Sequence, residues 1–491
     1  MWTRQGLHDL VGEKLGGYLF VVASNREPYI HNFSGQEIVC QVPASGLTVA
    51  LDPVMQACGG IWIAHGSGDA DREVVDKHDK VGIPPENPRY TLKRLWLSPE
   101  DKEGYYCGFS NEALWPLCHI VYTRPLFEES DWETYRKVNE AFARSIIEEV
   151  GDRRAFVFIQ DYHLTLLSRL IKDKHPNIIT AQFWHIPWPN REAFRVCPWQ
   201  EEILRGLLGN DLLGFHIRYH CNNFLDTVNW AIEAKVDWER YEVTCGGRKT
   251  AVRPFPISVD FEALAQFAQS REVAAQMKEL RARLNLADKI VGVGFDRLDY
   301  TKGIPDRLRA MGRFLEKYPG YREKVVFIQA GVPSRVEIPE YKKLSAEIDR
   351  AEEEVNSRWD TERWKPIIYL REHQSPTALM ALRRLADFFV VSSLHDGMNM
   401  VAKEFVASRF DEDGVLILSH FTGAARELTD ALLVNPYAID HFADAIKNAV
   451  EMPEAERRKR MQKMRQVVQE NNVYKWAADI ISELVRFEFG E

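Results

Sequence analysis

Ile290-Val291-Gly292-Val293-Gly294-Phe295 runs directly into Asp296-Arg297-Leu298-Asp299-Tyr300-Thr301-Lys302-Gly303, and an amphipathic stretch over 304–316 follows. A short apolar run with a turn and a helical pattern behind it reads as a buried strand feeding a crossover helix. The pattern then repeats as strand 324–330, helix 338–354, strands 366–370 and 388–391, helix 400–409 and strand 414–419. Helices over 440–489 close the chain. Strands alternating with helices predict a parallel sheet covered on both faces.

The same grammar occupies the first half. Strand 18–23 (YLFVVA) comes first, and helix 132–150 carries Tyr135, Val138, Phe142 and Ile146 on one stripe. Strand 155–160, helix 164–172 and strand 178–184 follow. Two prolines interrupt the pattern in RPFPISV, 253–259, and a long polar-faced helix is expected over 261–284. The fold class is therefore α/β: two doubly wound, Rossmann-like domains, 1–257 and 258–471, facing across a cleft. A final helix, 472–491, is expected to pack back on the first domain. Ligands of open α/β sheets lie outside the carboxyl ends of the strands, so polar clusters should follow strands in both halves. Closure about a hinge near 256–262 is expected to exclude water.

Composition narrows the class. The 491 residues carry a formal net charge of −9, with 45% apolar and 27% charged residues, as in ordinary globular chains. An acidic chain with scattered Lys and Arg is a poor nucleic-acid binder. No apolar run approaches the ~20 residues that span a bilayer, and residues 1–14 lack the apolar core of a secretory leader. The seven cysteines, at 40, 58, 107, 118, 197, 221 and 245, are widely spaced with no CxxC. That spacing points away from a disulfide framework or zinc site and toward the cytoplasm.

Four clusters carry chemistry. Arg297 and Lys302 precede a helix N-terminus, where backbone N–H groups and the dipole already favour an anion. They suit a diphosphate, or else form a surface ion-pair loop with Asp296 and Asp299. After strand 388–391, Asp396-Gly397-Met398-Asn399 leads into a helix bearing Lys403 and Glu404. Asp396 and Glu404 suit sugar hydroxyls, or an N-cap and a salt-bridged helix face. In the first half, Gln160-Asp161-Tyr162-His163 and Trp184-His185-Ile186-Pro187-Trp188 each follow a strand. His185 reads as a core histidine or a site imidazole, and Asp161, His163 and His185 show no short metal-ligand spacing. Pro43-Ala44-Ser45-Gly46-Leu47 reads as a glycine loop approaching a phosphate, and Tyr105-Tyr106 leads to Leu114-Trp115-Pro116.

Taken in order, these segments resemble one family. SNR at 24–26, SNxxLWP at 110–116, DYHL at 161–164, HIPWP at 185–189 and GF at 214–215 are followed by RLDYTKG at 297–303. DGMNMVAKEFV at 396–406, LSxFxGAAxEL at 418–428 and VNPY at 434–437 complete the series. The chain is similar to the trehalose-6-phosphate synthases, retaining GT-B glycosyltransferases of family 20, from about residue 19 to the terminal helices.

The resemblance implies transfer of glucose from a nucleoside diphosphate glucose, by default UDP-glucose, to glucose 6-phosphate. Arg297 and Lys302 would hold the diphosphate; Asp396, Gly397, Met398 and Asn399 the glucose; Glu404 the ribose; Leu379 would lie near the base and Gly46 near the distal phosphate. Arg26, Tyr106, Trp115 and Arg335 would grip the 6-phosphate, with Asp161 orienting the acceptor and His185 beside the transferred sugar. The resemblance implies small-molecule substrates, no metal cofactor, no membrane and a possible homo-oligomer; no phosphatase-like extension is expected. Three positions depart from the family: Ser45-Gly46 for a Gly pair, His65 for an aromatic, and His395 for an Arg. The alternatives are a synthase using glycerol 3-phosphate, a non-catalytic sugar-phosphate sensor that would lose Arg297, Lys302 or Asp396, and a glycoside hydrolase.

Overall fold

The computed structural model describes residues 2–43, 46–332, 335 and 337–489, with the side chains of 332 and 487–489 excepted. The chain divides into two compact units, Met1–Ile257 with Val473–Glu491, and Ser258–Asn472.

The first unit is built on a ten-stranded sheet whose seven inner strands are parallel. Their spatial order is Arg248–Pro254, Leu212–Phe215, Ile179–Phe183, Ala155–Gln160, Leu19–Arg26, Ile61–His65 and Tyr90–Leu95. Ala155–Gln160 and Ile179–Phe183 are buried at every position; the first reads as an apolar run, while the second carries Thr180 and Gln182, which bond Ser168 and the Asp161 carbonyl. The helix Glu129–Val150 packs the predicted stripe inward, with Tyr135, Phe142 and Ile146 fully covered. The terminal helix Val473–Phe489 belongs to this unit. Its Trp476 meets Phe158 and Phe183 at ring-centroid distances of 5.9 and 5.1 Å, and Glu483 pairs with Arg253 at 2.9 Å.

The second unit holds six parallel strands in the order Ile367–Leu370, Val325–Val332, Ile290–Arg297, Phe388–Val391, Val415–Ser419 and Leu432–Val434. That is the 3-2-1-4-5-6 order of dinucleotide-binding sheets. With both units doubly wound and the last helix returned to the first, the fold is of the GT-B class.

Local elements differ from the sequence reading in three places. The helix expected over 261–284 is two, Phe261–Ala268 and Arg271–Arg283, because Ser270 caps the second by accepting from the Val273 N–H at 3.3 Å. The helix expected from 164 begins at Leu167, after a separate turn Tyr162–Leu164. The glycine loop is cut short because Gly46 already opens the helix Gly46–Cys58, while Ala44 and Ser45 lie outside the described residues.

Candidate active site

In the first unit, strand succession reverses between Leu19–Arg26 and Ala155–Gln160, so their carboxyl ends leave a crevice. Arg26 ends one strand and Asp161 follows the other. Asp161 has φ of +69°, sparsely populated for a residue with a side chain. The neighbouring strand enforces it: the Asp161 N–H donates to the Phe183 carbonyl at 2.7 Å, and its own carbonyl accepts from the Gln182 amide at 3.0 Å. The carboxylate of Asp161 thereby accepts the His185 N–H at 3.2 Å. The His185 ring pairs with the Gln160 amide at 2.9 Å. Burial, reinforced by His163, pulls this imidazole down to about 3, so it is neutral at neutral pH.

Tyr106 and Trp115 arrive through an unusual element. Residues Glu103–Leu114 form a π-helix, whose i→i+5 winding is rare and concentrated at functional sites. Asn111, five residues after Tyr106, donates to the Tyr106 carbonyl at 2.7 Å and accepts from the Tyr162 hydroxyl at 2.9 Å. The π-helix is thus latched to the turn that presents Asp161. The ring of His163 stacks on Tyr106 at 5.8 Å and 11°, and Trp115 lies 5.8 Å from Tyr162. Arg26 donates to the Tyr106 hydroxyl at 3.0 Å. Both line a cavity of ≈ 180 Å³, with Glu27, His65, Ser67 and Lys102.

An ionic network lies under that cavity. Arg94, 1% exposed, donates to Glu27 at 2.7 Å and to Asp71 at 2.8 Å, and also contacts the His31 ring at 2.9 Å. Glu27 accepts the Ser67 N–H at 2.7 Å and its hydroxyl at 2.9 Å. Burial, with Asp71 competing for the same guanidinium, pushes the Glu27 carboxyl up to about 7. His65 donates from Nδ1 to the Leu95 carbonyl at 3.2 Å, and burial lowers its ring below the usual range.

In the second unit the reversal falls between Ile290–Arg297 and Phe388–Val391. Arg297 ends the first strand, and the turn Tyr300–Lys302 leads through Gly303 into the helix Ile304–Lys317. Gly303 has φ of +59°, and a Cβ there would sit 2.3 Å from the Ser392 carbonyl, so only glycine lets the turn lie against the neighbouring strand end. The Lys302 ammonium meets Asp396 Oδ2 at 2.5 Å. That oxygen also accepts from Ser393 at 3.2 Å and Asn399 at 3.1 Å. Burial alone would depress Lys302, but Asp396, Asp296 and Asp299 outweigh it and raise its pKa, so it is firmly cationic. Behind the turn, Arg307 bonds Ser392 at 2.8 Å, the Lys302 carbonyl at 3.3 Å and the Asp296 carboxylate.

These contacts decide between the readings left open. Asp296 and Asp299 are 8% and 0% exposed, so the cluster is a buried network and not a surface ion-pair loop. The helix Met400–Ser408 is capped by Asn399, whose side chain accepts the Ala402 N–H at 3.0 Å; Asp396 is no cap. Gly397 and Met398 are buried beside Asp396. The carboxylate of Glu404 is engaged by the buried Arg383. Leu379 lies half-buried in the helix Pro376–Leu385. Arg26, Tyr106, Trp115, Asp161 and His185 gather in the first unit. Arg335 lies in the second, where it pairs with Asp299 at 3.5 Å and with the Tyr341 hydroxyl. Among the described residues no group of three His, Cys, Asp or Glu side chains is arranged to hold a metal ion. Among them, too, no helix is long and apolar enough to cross a membrane.

Glu27, Ser67, Lys102, Asn111 and Arg307 were missed by the sequence reading. For Glu27 the available signal was its place beside Arg26 at a strand end; for Asn111 it was the five-residue interval from Tyr106.

Known proteins share this architecture. Glycosyltransferase family 20 matches residues 18–486. A trehalose-6-phosphate synthase of Mycolicibacterium vanbaalenii is 38% identical over 482 residues, covering 96% of this chain and 97% of the relative. A bifunctional trehalose-6-phosphate synthase/phosphatase of Thermoproteus tenax is 36% identical over 95% of this chain, which spans 63% of that longer protein. Among solved structures, the E. coli trehalose-6-phosphate protein bound with UDP-2-fluoro glucose superposes with a TM-score of 0.85 at 31% identity, covering 95% of this chain and 99% of that one. The UDP-forming alpha,alpha-trehalose-phosphate synthase of Burkholderia xenovorans in complex with glucose-6-phosphate gives 0.85 at 30%, covering 95% and 100%. Matched almost end to end, and with both strand-end clusters in place, the chain belongs to glycosyltransferase family 20.

Proposed function

We propose that the chain transfers glucose from UDP-glucose to glucose 6-phosphate, with retention at the anomeric carbon, giving trehalose 6-phosphate and UDP. The second unit takes the donor. Arg297 and Lys302 meet the diphosphate, Asp396 with the backbone around Gly397–Asn399 takes the glucose hydroxyls, and Glu404 the ribose. The first unit takes the acceptor, with Arg26, Tyr106 and Trp115 toward the 6-phosphate and Asp161 toward the sugar. Arg335, which the family resemblance assigns to the same phosphate, lies in the second unit beside Asp299 and Tyr341. The observation that carries the reading is the Arg26–Tyr106 pair, 3.0 Å apart on a cavity wall. A guanidinium beside a phenol suits a phosphate ester and is wasted on a neutral sugar. Relatives bound with UDP-2-fluoro glucose and with glucose-6-phosphate support the same pair of substrates.

The chemistry follows from charge. Breaking the anomeric C–O bond leaves a diphosphate, whose growing charge the fixed cations Arg297 and Lys302 stabilise. The acceptor hydroxyl attacks from the same face of an oxocarbenium-like centre and forms the new C–O bond. Its proton passes to the departing phosphate oxygen. Asp161 orients the acceptor, and the neutral His185 offers a hydrogen bond without adding charge. We propose no metal cofactor for this step, and a cytoplasmic setting, which the seven free thiols support. Association into a homo-oligomer is part of the same proposal.

A panel of UDP-, ADP- and GDP-glucose against glucose 6-phosphate and glycerol 3-phosphate, with product identification, tests the assignment. Trehalose 6-phosphate from UDP-glucose is expected. Exclusive turnover of glycerol 3-phosphate, or release of free glucose without a disaccharide, would replace it.

A further inference from the structure

One cation on the first-unit cavity has no part in the reading above. Lys102 ends the short helix Pro99–Lys102, where the chain enters the π-helix. With i→i+5 winding, side chains four residues apart leave on nearly the same face, so 102 and 106 are neighbours. Lys102 lines the cavity with Arg26, Tyr106 and His65. Its charge is felt at the His65 ring, where it adds to the lowering caused by burial.

Several lysines of this unit find carboxylates: Lys80 and Lys93 share Glu149 at 2.7 Å each, and Lys137 meets Asp101 at 2.7 Å. Among the described residues the Lys102 ammonium has no hydrogen bond or ion pair. The single acidic residue among those lining the cavity, Glu27, is committed to Arg94 and Ser67. Two cations therefore face one cavity without a counter-charge of their own on its wall, and a phosphate ester, at about −1.5 to −2, supplies it.

We propose that Lys102 is a specificity-determining residue that binds the phosphate of the acceptor together with Arg26, and so selects phosphorylated acceptors over free sugars. This rests on the acceptor reading given above. The ligand chemistry is a terminal phosphate monoester, held by one guanidinium and one ammonium.

The test uses the full chain with Lys102→Ala and Lys102→Arg. Steady-state KM is measured for glucose 6-phosphate, free glucose and UDP-glucose, and inorganic phosphate binding is measured by calorimetry. Lys102→Ala should raise KM for glucose 6-phosphate about tenfold, the effect of one charge-assisted contact, and weaken inorganic phosphate alike. KM for UDP-glucose should not move, and Lys102→Arg should recover most of the loss. Unchanged phosphate affinity together with unchanged KM for glucose 6-phosphate overturns the proposal, as does an equal loss for free glucose. A wild-type chain that makes no disaccharide from glucose 6-phosphate, yet loses phosphate affinity in Lys102→Ala, would overturn the acceptor assignment and sustain the role of Lys102.

Discussion

The ammonium of Lys302 and the carboxylate of Asp396 lie 2.5 Å apart although 94 residues separate them in the chain. They come from the two strand ends that flank the reversal of the second sheet. The cation assigned to the leaving group and the anion assigned to the sugar are thus one unit. Removing Lys302 strips charge from a nearly covered site and takes the ammonium from an oxygen that Ser393 and Asn399 also meet. Lys302→Ala is expected to lower kcat by about 10²–10³-fold, the usual loss of one transition-state charge contact, with a smaller change in KM for the donor. Combining it with Asp396→Asn should cost much less than the two single losses multiplied, because the side chains act together. A change confined to KM would count against charge stabilisation of the leaving group.

His185 is held near a pKa of about 3 by burial, well under the usual histidine value. Its folded value lies below its unfolded one, so the stability it contributes is present above the ordinary histidine range and is lost as pH falls toward 3. Between pH 5.5 and 8.5 the ring does not titrate. His185→Asn should therefore reduce kcat while leaving the shape of the pH–rate profile intact over that window. If the variant erased an inflection near pH 6.5, the wild-type imidazole would be titrating and its neutral role would be wrong.

The strands that carry the site were legible because parallel strands covered on both faces spell themselves as apolar runs. Arg26, Asp161, Arg297 and Asp396 stand at or just past their ends. The partners of these residues were not legible. Glu27 meets Arg94 across 67 residues, and Asp296 turns to Arg307 on the following helix rather than to its neighbour Arg297. Such pairings depend on sheet register and helix orientation, which no local pattern states. Residues 103–114 were opaque for another reason: π-winding has no compositional mark, and only the Tyr106–Asn111 bond, seen in three dimensions, explains their spacing.

Arg297 and Lys302, proposed above to meet the diphosphate, would supply the positive charge that a divalent ion otherwise provides. Activity with UDP-glucose and glucose 6-phosphate is accordingly expected to survive exhaustive dialysis against EDTA, with kcat changed less than about twofold. Initial rates with and without added Mg²⁺ or Mn²⁺ check this. A loss of tenfold or more that only a divalent ion restored would assign the diphosphate's charge to a metal.

Glu27 is 1% exposed and shares the Arg94 guanidinium with Asp71, and its carboxyl is raised to about 7. The ordinary value for the unfolded chain is near 4.5. Between these values the folded chain binds the proton that the unfolded chain has released. The stability tied to this proton is therefore complete below about pH 4.5 and is lost as pH rises through about 7. The size of the shift corresponds to a few kcal/mol at most. Glu27→Gln keeps an acceptor for Ser67 but cannot titrate, so its denaturation midpoint should fall less than that of the wild type between pH 5 and 7.5. At pH 5 the two chains should start close together, because a protonated Glu27 already leaves Arg94 facing the single charged carboxylate of Asp71. Urea titrations at several pH values, read as the difference between the two chains, measure the effect. Parallel curves across that range would mean that Glu27 stays ionised throughout, with Arg94 and the Ser67 N–H outweighing its burial.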